Sequence, residues 1–370
     1  MTISGQSTDK GREALLAAAL LRIGGDTQGP RLFKDAVWPT LRAWADVERS
    51  PILLAQKLGW LPETARTAAE RAVAEAVKAQ DRAKALGLSL VTVADDEYPG
   101  LLAQLPDPPL ALWTVGSVSC LAQPAVAIVG SRNASPAGAE TARRLARGLA
   151  SAGLVVVSGL ARGIDAAAHR GALDGRGPTV GVVGCGLDVT YPRDHGALAA
   201  EIRTSGCLVS ELPPGTPPLP RHFPLRNRII SGLSSAVVVV EASERSGSLI
   251  TARMALEQGR DVLAVPGNVV SGCHRGCHAL IKDGARLVET VEDILEEIRW
   301  VADPGRLPDP ANQSQSNELL ALVRAGEVFS VEDLSERSGL KAAEILAELG
   351  RLELEGLVAR SGVGTFIRLP

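Results

Sequence analysis

The sequence predicts an α/β protein: a doubly wound, Rossmann-like parallel sheet at the centre, a small helical domain before it and a winged helix after it. Three observations carry that expectation. Between about residues 91 and 300, short β-branched runs, of which Val237–Val240 is the purest, alternate with helix-length stretches, and strands joined by crossover helices lie parallel in one sheet. Those runs have no polar face, as strands covered on both sides require. Residues 301–315 are dominated by Pro, Asp, Asn, Gln and Ser and read as a linker, so that residues 316–370 form a domain of their own.

Composition agrees. The chain has 370 residues, 45% of them hydrophobic, enough for two or three domains with real cores. Aromatic residues are 3%, so the cores are aliphatic. A formal net charge of −3 argues against a protein coated in phosphate-binding lysine, but a local basic patch can sit on a near-neutral molecule. Five scattered cysteines, Cys120, Cys185, Cys207, Cys273 and Cys277, and no apolar leader before a small-residue cleavage site point to a reducing cytoplasm. Apolar runs are strand-length, far below the roughly 20 residues of a bilayer span, and no membrane segment is expected.

Residues 1–10 are polar and unpatterned and are expected to be disordered. Leu15, Leu16, Ala19, Leu20 and Ile23 have helical spacing, GGDTQGP breaks it, and Arg31–Trp44 can resume as a helix. The Gly29-Pro30-Arg31 corner fits a helix-hairpin-helix or SAM-like module whose turn amides hold a phosphate. An ordinary turn in a small bundle fits it better, since glycine at a helix end is common on structural grounds alone. Glu63–Leu86, Ala-rich with mixed charge, closes the first domain, residues 1–90, as a long helix. Leu88–Val93 is a short strand, and Asp95–Gly116 is a Pro-rich extended strap, because residues before proline avoid the α region.

In the central domain, residues 91–300, strands follow at Pro124–Gly130, Leu154–Gly159, Thr179–Gly184, Cys207–Glu211, Val237–Val240, Asp261–Gly267 and Arg286–Val288, with a closing helix over Val291–Trp300. Beyond the linker, three helices and the hairpin GLVARSGVGTFIRL give a winged-helix outline, with Ser330 and Asp333 as a capping pair.

A doubly wound sheet gathers ligands outside the carboxyl ends of its strands, and four turns there carry polar signals. Gly130-Ser131-Arg132 ends the first strand: the glycine lets amides approach a phosphate, Ser131 can donate and Arg132 can grip bidentately. The turn lacks the lysine of a Walker loop and, alone, reads as readily as a tight strand-to-helix turn. SGLARGIDAAAH, Ser158–His169, brings Gly159, Arg162 and Gly163 to the next turn. Asp165 and His169 stand one helical turn apart, the spacing of an acid and a base, but a capping Asp and a structural His are the favoured reading. Pro220–Arg228 adds Arg221, Phe223, Arg226, Asn227 and Arg228, with Pro224 suited to a first helical turn. SGSLIT, Ser246–Thr251, places Ser248 at the mouth of a helix that carries Arg253, a second anion site. Arginines around one stacking ring, Phe223, describe a strand-binding groove better than a reaction centre, which needs nucleophile, base and oxyanion donors together. Two or three of these arginines are expected to be structural, pairing with Glu241, Glu244 or Asp165.

GCGLDVTYP, Gly184–Pro192, lacks the third glycine of a dinucleotide fingerprint, so no nicotinamide or flavin cofactor is expected. Cys273, His274, Cys277 and His278 crowd four possible ligands into six consecutive residues, too near one another to close a tetrahedron, and no metal is expected. The last domain's recognition helix, Lys341–Glu355, sets Lys341 and Arg351 against Glu344, Glu348, Glu353 and Glu355, a face that repels phosphate. A protein contact or accessory role is expected of it, with Arg360 and Arg368 of the wing as remaining DNA candidates.

The segments FPLRNRIISGLS, SGSLITAR, SGLARGID and GCGLDVTYP together resemble the bacterial DNA-processing protein A family (DprA, also called Smf), strongly from about Tyr98 to Arg299 and weakly at both ends. The resemblance implies a binding protein rather than an enzyme: a homodimer through the central domain that binds single-stranded DNA, protects it during natural transformation and hands it to the RecA recombinase. Duplex DNA would be a weaker partner. The expected DNA-binding set is Gly130, Ser131, Arg132, Gly159, Arg162, Arg221, Phe223, Arg226, Asn227, Arg228, Ser248 and Arg253. The rival is a nucleotide-processing enzyme. Lysine-decarboxylase-like phosphoribohydrolases are similar in sheet topology, and SGSLIT, Glu241 and Glu257 are loose counterparts of their Thr-containing helix start and acidic residues.

Overall fold

The computed structural model describes residues 62–93, 95–300, 322–323, 327–339, 345–346, 349, 352, 358–362 and 365–368. The readings of residues 1–61, of the linker 301–315, of the charged residues of Lys341–Glu355 and of the Arg360 side chain lie outside the described residues. The chain divides into two compact units between Ala302 and Asp303.

Helix α1 (Pro62–Ala85) leads into β1 (Ser89–Thr92), the single turn α2 (Gly100–Ala103) and β2 (Ala111–Gly116). Strands and helices then alternate: β3 (Ala125–Val129), α3 (Pro136–Ser151), β4 (Val155–Ser158), α4 (Ile164–Asp174), β5 (Thr179–Val182), α5 (Gly196–Ser205), β6 (Cys207–Ser210), α6 (His222–Gly232), β7 (Ala236–Val239), α7 (Ser248–Glu257), β8 (Asp261–Ala264), α8 (Arg275–Lys282), β9 (Arg286–Leu287) and α9 (Val291–Glu297). Among the described residues they build one nine-stranded sheet in the order β1-β2-β6-β5-β4-β3-β7-β8-β9. Every neighbouring pair from β6 to β9 is parallel. At the other end β2 joins β6 antiparallel and β1 joins β2 antiparallel, so the sheet is mixed, and the strap expected to be extended contains the helical turn α2 before β2. Its prolines, Pro99, Pro106, Pro108 and Pro109, precede β2; Ala111–Gly116 contains none and can donate to both neighbours.

The helices cover both faces. From β3, Ala125, Ala127 and Val129 point into one core with Ile229 and Ile230 of α6 and Ala252 and Ala255 of α7. Val126 and Ile128 point into the other with Leu145 and Leu149 of α3 and Ile164 and Ala168 of α4. That two-sided burial is why the strand carries no polar residue. Helices α3 and α4 meet backbone to backbone: a Cβ on Gly175 would lie 2.7 Å from the Arg147 carbonyl oxygen, and one on Gly171 would meet that of Arg143. On α1, Ala76, Ala79 and Ala83 pack with Trp113, Leu187 and Ile202. Arg82 Nε donates to Asp188 Oδ2 at 2.9 Å, while Asp188 Oδ1 accepts from the Gly215 amide at 2.7 Å.

The second unit has β10 (Val328–Ser330), α10 (Val331–Ser338) and the hairpin β11 (Val358–Gly362) with β12 (Thr365–Arg368), paired antiparallel in the order β10-β12-β11. Phe329, Leu334, Ile345, Leu349, Leu352 and Phe366 form its core. Ser330 and Asp333 make both bonds of a capping box at α10, as their spacing suggests. Arg368 Nη1 donates to the Val323 carbonyl at 2.6 Å. Among the described residues no helix is long and apolar enough to cross a membrane.

Candidate nucleic-acid interface

The turns after β3, β4 and β5 leave the same edge of the sheet, and with α6 they enclose a cleft of about 320 Å3. Of the expected residues, Arg132, Gly159, Arg162, Phe223 and Arg226 line it, joined by Tyr191. The turns are locked together by close backbone contacts. Gly163, which caps α4 at φ 76°, sits against Arg132, where a Cβ would approach the Arg132 carbonyl oxygen to 2.9 Å. The amide of Ile164 donates to the Ser131 carbonyl at 3.1 Å.

At the floor, Arg226 is 6% exposed. Its Nη1 donates to the Gly159 carbonyl at 2.6 Å and to that of Val182, while its Nε is buried without a hydrogen-bond partner. Asp165 lies close by and accepts from the amides of Gly159 and Ala161 at 3.1 and 3.3 Å, shaping the turn before α4. Burial pushes the Asp165 carboxyl up, against the pull of Arg226. Burial likewise draws Arg226 down to about 10, against the pull of Asp165, so the guanidinium stays charged at neutral pH. Among the described residues no carboxylate is in direct contact with Arg226, and Asp165 is the acid that most offsets its charge.

At the mouth, the Arg132 guanidinium carbon stands 5.4 Å from the centroid of the Phe223 ring, a cation–π contact. Tyr191 pairs with the same ring at 5.3 Å between centroids and 35° between planes. Tyr191 was not among the expected residues. The usable signal was its place in TYP, after β5 and hence on the ligand edge. Arg162 lies at the rim in a bidentate pair with Asp194, both bonds 3.0 Å. Those bonds hold the exposed Asp194 carboxyl below the usual carboxylate range.

The other expected residues are placed elsewhere. Arg228 is a structural ion-pair residue: its Nε donates to Asp107 Oδ2 at 3.1 Å and its Nη2 to Glu211 Oε1 at 2.7 Å. Asn227, Ser248, Arg253 and the exposed Arg221 do not line the cleft. Ser248 is buried with its Oγ 2.7 Å from Ser246 Oγ, so these two hydroxyls are turned to each other. Gly130 and Ser131 stand behind Arg132. A Cβ on Gly130 would lie 2.6 Å from Ile164 Cγ1, and the Ser131 amide donates to the Glu241 carbonyl at 2.7 Å. Of the acids expected to pair with these arginines, Glu241 accepts from Ser135, Glu244 meets Arg275 at 3.6 Å, and Asp165 acts on Arg226 without direct contact; Asp107 and Glu211 hold Arg228, and Asp194 holds Arg162.

His169 is fully buried and belongs to the fold. Thr179 Oγ1 gives its only proton to the Val156 carbonyl at 2.7 Å, so His169 Nδ1, 2.7 Å away, must be the donor to Thr179 and Nε2 carries a lone pair. Burial first, then Arg226 and His195, pull its pKa down to about 3. The unfolded chain therefore takes up a proton near pH 6.5 that the folded chain refuses, and stability falls as pH drops below that value. Between pH 7 and pH 5 the loss from this group should be about 2 kcal/mol. Urea denaturation at both pH values should show His169→Gln losing less than the parent chain; an equal loss would contradict it.

The side chains lining the cleft include no carboxylate and no imidazole, and burial pushes the Cys185 thiol there up to about 11. Glu241 and Glu257, the acidic residues of the enzymatic alternative, do not line it. Among the described residues no group of three or more His, Cys, Asp or Glu is placed to hold a metal ion. A cation over one ring of an aromatic pair, with no carboxylate or imidazole among the lining side chains, suits a stacked base and a phosphate.

Comparison with known proteins shows the family. The family described as DNA recombination-mediator protein A matches residues 89–299, and the DprA winged helix domain matches residues 303–362. The Streptococcus pneumoniae DNA processing protein DprA is 47% identical over 209 residues, 56% of this chain and 74% of that protein. Protein Smf of Escherichia coli is 44% identical over 287 residues, 75% of this chain and 76% of its own length. The X-ray structure of the S. pneumoniae protein superposes with a TM-score of 0.66 at 36% identity, covering 81% of this chain and all of that one. A Helicobacter pylori DNA processing protein A, described for its single-stranded DNA binding mode, has a TM-score of 0.52 at 30% identity over 57% of this chain and 95% of that one. This chain belongs to the DNA recombination-mediator protein A family, whose members are DNA-binding recombination mediators and not enzymes.

Proposed function

We propose that the chain binds single-stranded DNA in the cleft between the turns after β3, β4 and β5 and helix α6, with duplex DNA a weaker ligand. Arg132 and Phe223 make the primary contact, Tyr191 extends the stacking surface, Arg162 meets a phosphate at the rim, and Arg226 supplies positive charge from below. The observation that carries this reading is the Arg132 guanidinium held over the Phe223 ring, a cation and a stacking platform at one point. The similarity to the H. pylori protein supports it. In the cell the strand would be DNA arriving in natural transformation, protected by a homodimer joined through the central domain and passed to the RecA recombinase in the cytoplasm. Family membership supports that part.

The test is a titration of short labelled oligonucleotides, single- and double-stranded, over a salt series. Arg132→Ala is expected to weaken single-strand binding and reduce the slope of log affinity against log salt by about 0.7, the share of one phosphate contact. Unchanged affinity and slope would remove the cleft from consideration.

A further inference from the structure

In an open doubly wound sheet the nucleotide crevice lies where successive crossovers part to opposite sides. Here that point is between β3 and β7, with β4 beyond one and β8 beyond the other. Helix α3 begins there, 16 residues long, with Ser135 at its cap and Pro136 at its first position. In such folds this is where a ligand's phosphate meets the positive end of a helix.

The position is taken by the protein itself. Glu241, 1% exposed, follows β7 and turns its carboxylate onto the start of α3. Both carboxylate oxygens lie 3.1 Å from the Ser135 amide, and Oε2 accepts from Ser135 Oγ at 2.6 Å. Ser135 Oγ in turn accepts from the Gly138 amide at 3.0 Å. A Cβ on Gly138 would lie 3.2 Å from Glu241 Cδ, so the helix start is shaped around this group. The same residue's carbonyl oxygen accepts from the Ser131 amide at 2.7 Å. One glutamate thus grips the Arg132 turn at both ends, at Ser131 and at Ser135.

We infer that Glu241 is a positioning and specificity-determining residue: a fixed internal anion that keeps free nucleotide phosphates out of the crevice between β3 and β7 and clamps the turn that presents Arg132 to the neighbouring cleft. The inference rests on strand binding by that cleft. The anion at the start of α3 is then covalently part of the chain.

The experiment uses the full-length chain with Glu241→Gln, Glu241→Ala and Ser135→Ala, a labelled oligothymidylate as strand probe, and inorganic phosphate, deoxyadenosine monophosphate and formate as anion probes. Glu241→Gln should bind the oligonucleotide about ten-fold more weakly, with a salt slope smaller by about 0.7, because the Ser135 end of the Arg132 turn loses its charge-assisted hydrogen bonds while the backbone grip on Ser131 remains. Glu241→Ala should melt at a higher temperature when phosphate or the monophosphate is added, a response absent from the parent chain, and formate should restore part of its strand affinity. Ser135→Ala keeps the carboxylate and should lose strand affinity to a smaller extent without gaining the phosphate response. Parent-like affinity and slope in Glu241→Gln would overturn the clamp, and a melting temperature of Glu241→Ala indifferent to phosphate would overturn the exclusion. Should Glu241→Ala not fold, the Gln and Ser135 variants still decide the clamp. A parent chain that fails to bind the oligonucleotide overturns the strand-binding reading instead, and leaves the phosphate response to decide the role of Glu241 in exclusion.

Discussion

Arg228→Met is expected to lower the stability of the first unit by about 3 kcal/mol at pH 8, and by distinctly less at pH 5. The guanidinium is 14% exposed and bonded to two carboxylates from distant parts of the chain, Asp107 before β2 and Glu211 after β6. Burial works against its charge, but Glu211 and then Asp107 outweigh burial and raise its pKa. Methionine fills much of the volume and strands both acids in a partly buried pocket beside Tyr98. Burial already pushes the Asp107 carboxyl up, with Arg228 opposing. Without Arg228, the Asp107 carboxyl rises further above its unfolded value. The folded variant then binds more protons than the unfolded chain, so its stability falls as pH rises through that value, and its deficit against the parent is largest in alkaline buffer. Urea denaturation of both proteins at pH 5 and pH 8 measures this. A deficit that does not change with pH would mean that the two acids are not held by Arg228.

Phe223→Ala should reduce single-strand affinity by 10- to 100-fold, since a stacked base is worth about 1–3 kcal/mol. Two losses coincide there. The base loses its platform, and Arg132 loses the ring it stands over, a contact worth about 0.5–1 kcal/mol at an exposed site. Phe223→Tyr keeps a ring and should retain most of the affinity, which separates stacking from general damage to α6. Fluorescence anisotropy with a short oligonucleotide reads both variants, and near-ultraviolet circular dichroism checks that the fold is kept. If the alanine variant binds like the parent, the bases do not pass this ring.

The central strands were legible because burial on both faces leaves a plain mark: β3 and β7 are unbroken apolar runs, and the crossover rule orders what lies between them. The antiparallel strand β2 was not. Its residues follow a cluster of prolines that reads as loop, and its partner β6 lies almost a hundred residues downstream. The site divides along the same line. That Arg132 and Arg162 would share a rim followed from topology alone, because both turns leave parallel neighbours. That Arg228 would be neutralised while Arg132 remained at the mouth did not follow, since residue type is the same at both positions. The deciding partners are acids 121 and 17 residues from Arg228, and local sequence carries no record of them. Tyr191 was missed for a related reason: its worth lies in facing Phe223, 32 positions away in a segment read separately.

The glycines that let α3 and α4 touch backbone to backbone also decide how the cleft can respond to a strand. Each of these helices follows directly from one of the turns that carry Arg132 and Arg162, so the two turns are mounted on a helix pair joined by backbone contact at Gly171 and Gly175 and by a shared core. The facing side hangs on Tyr191 and on Phe223 in the first turn of α6, separate segments from separate crossovers. The cationic wall of the cleft therefore stands on one packed helix pair, while the aromatic wall is assembled from two segments that meet only through their rings.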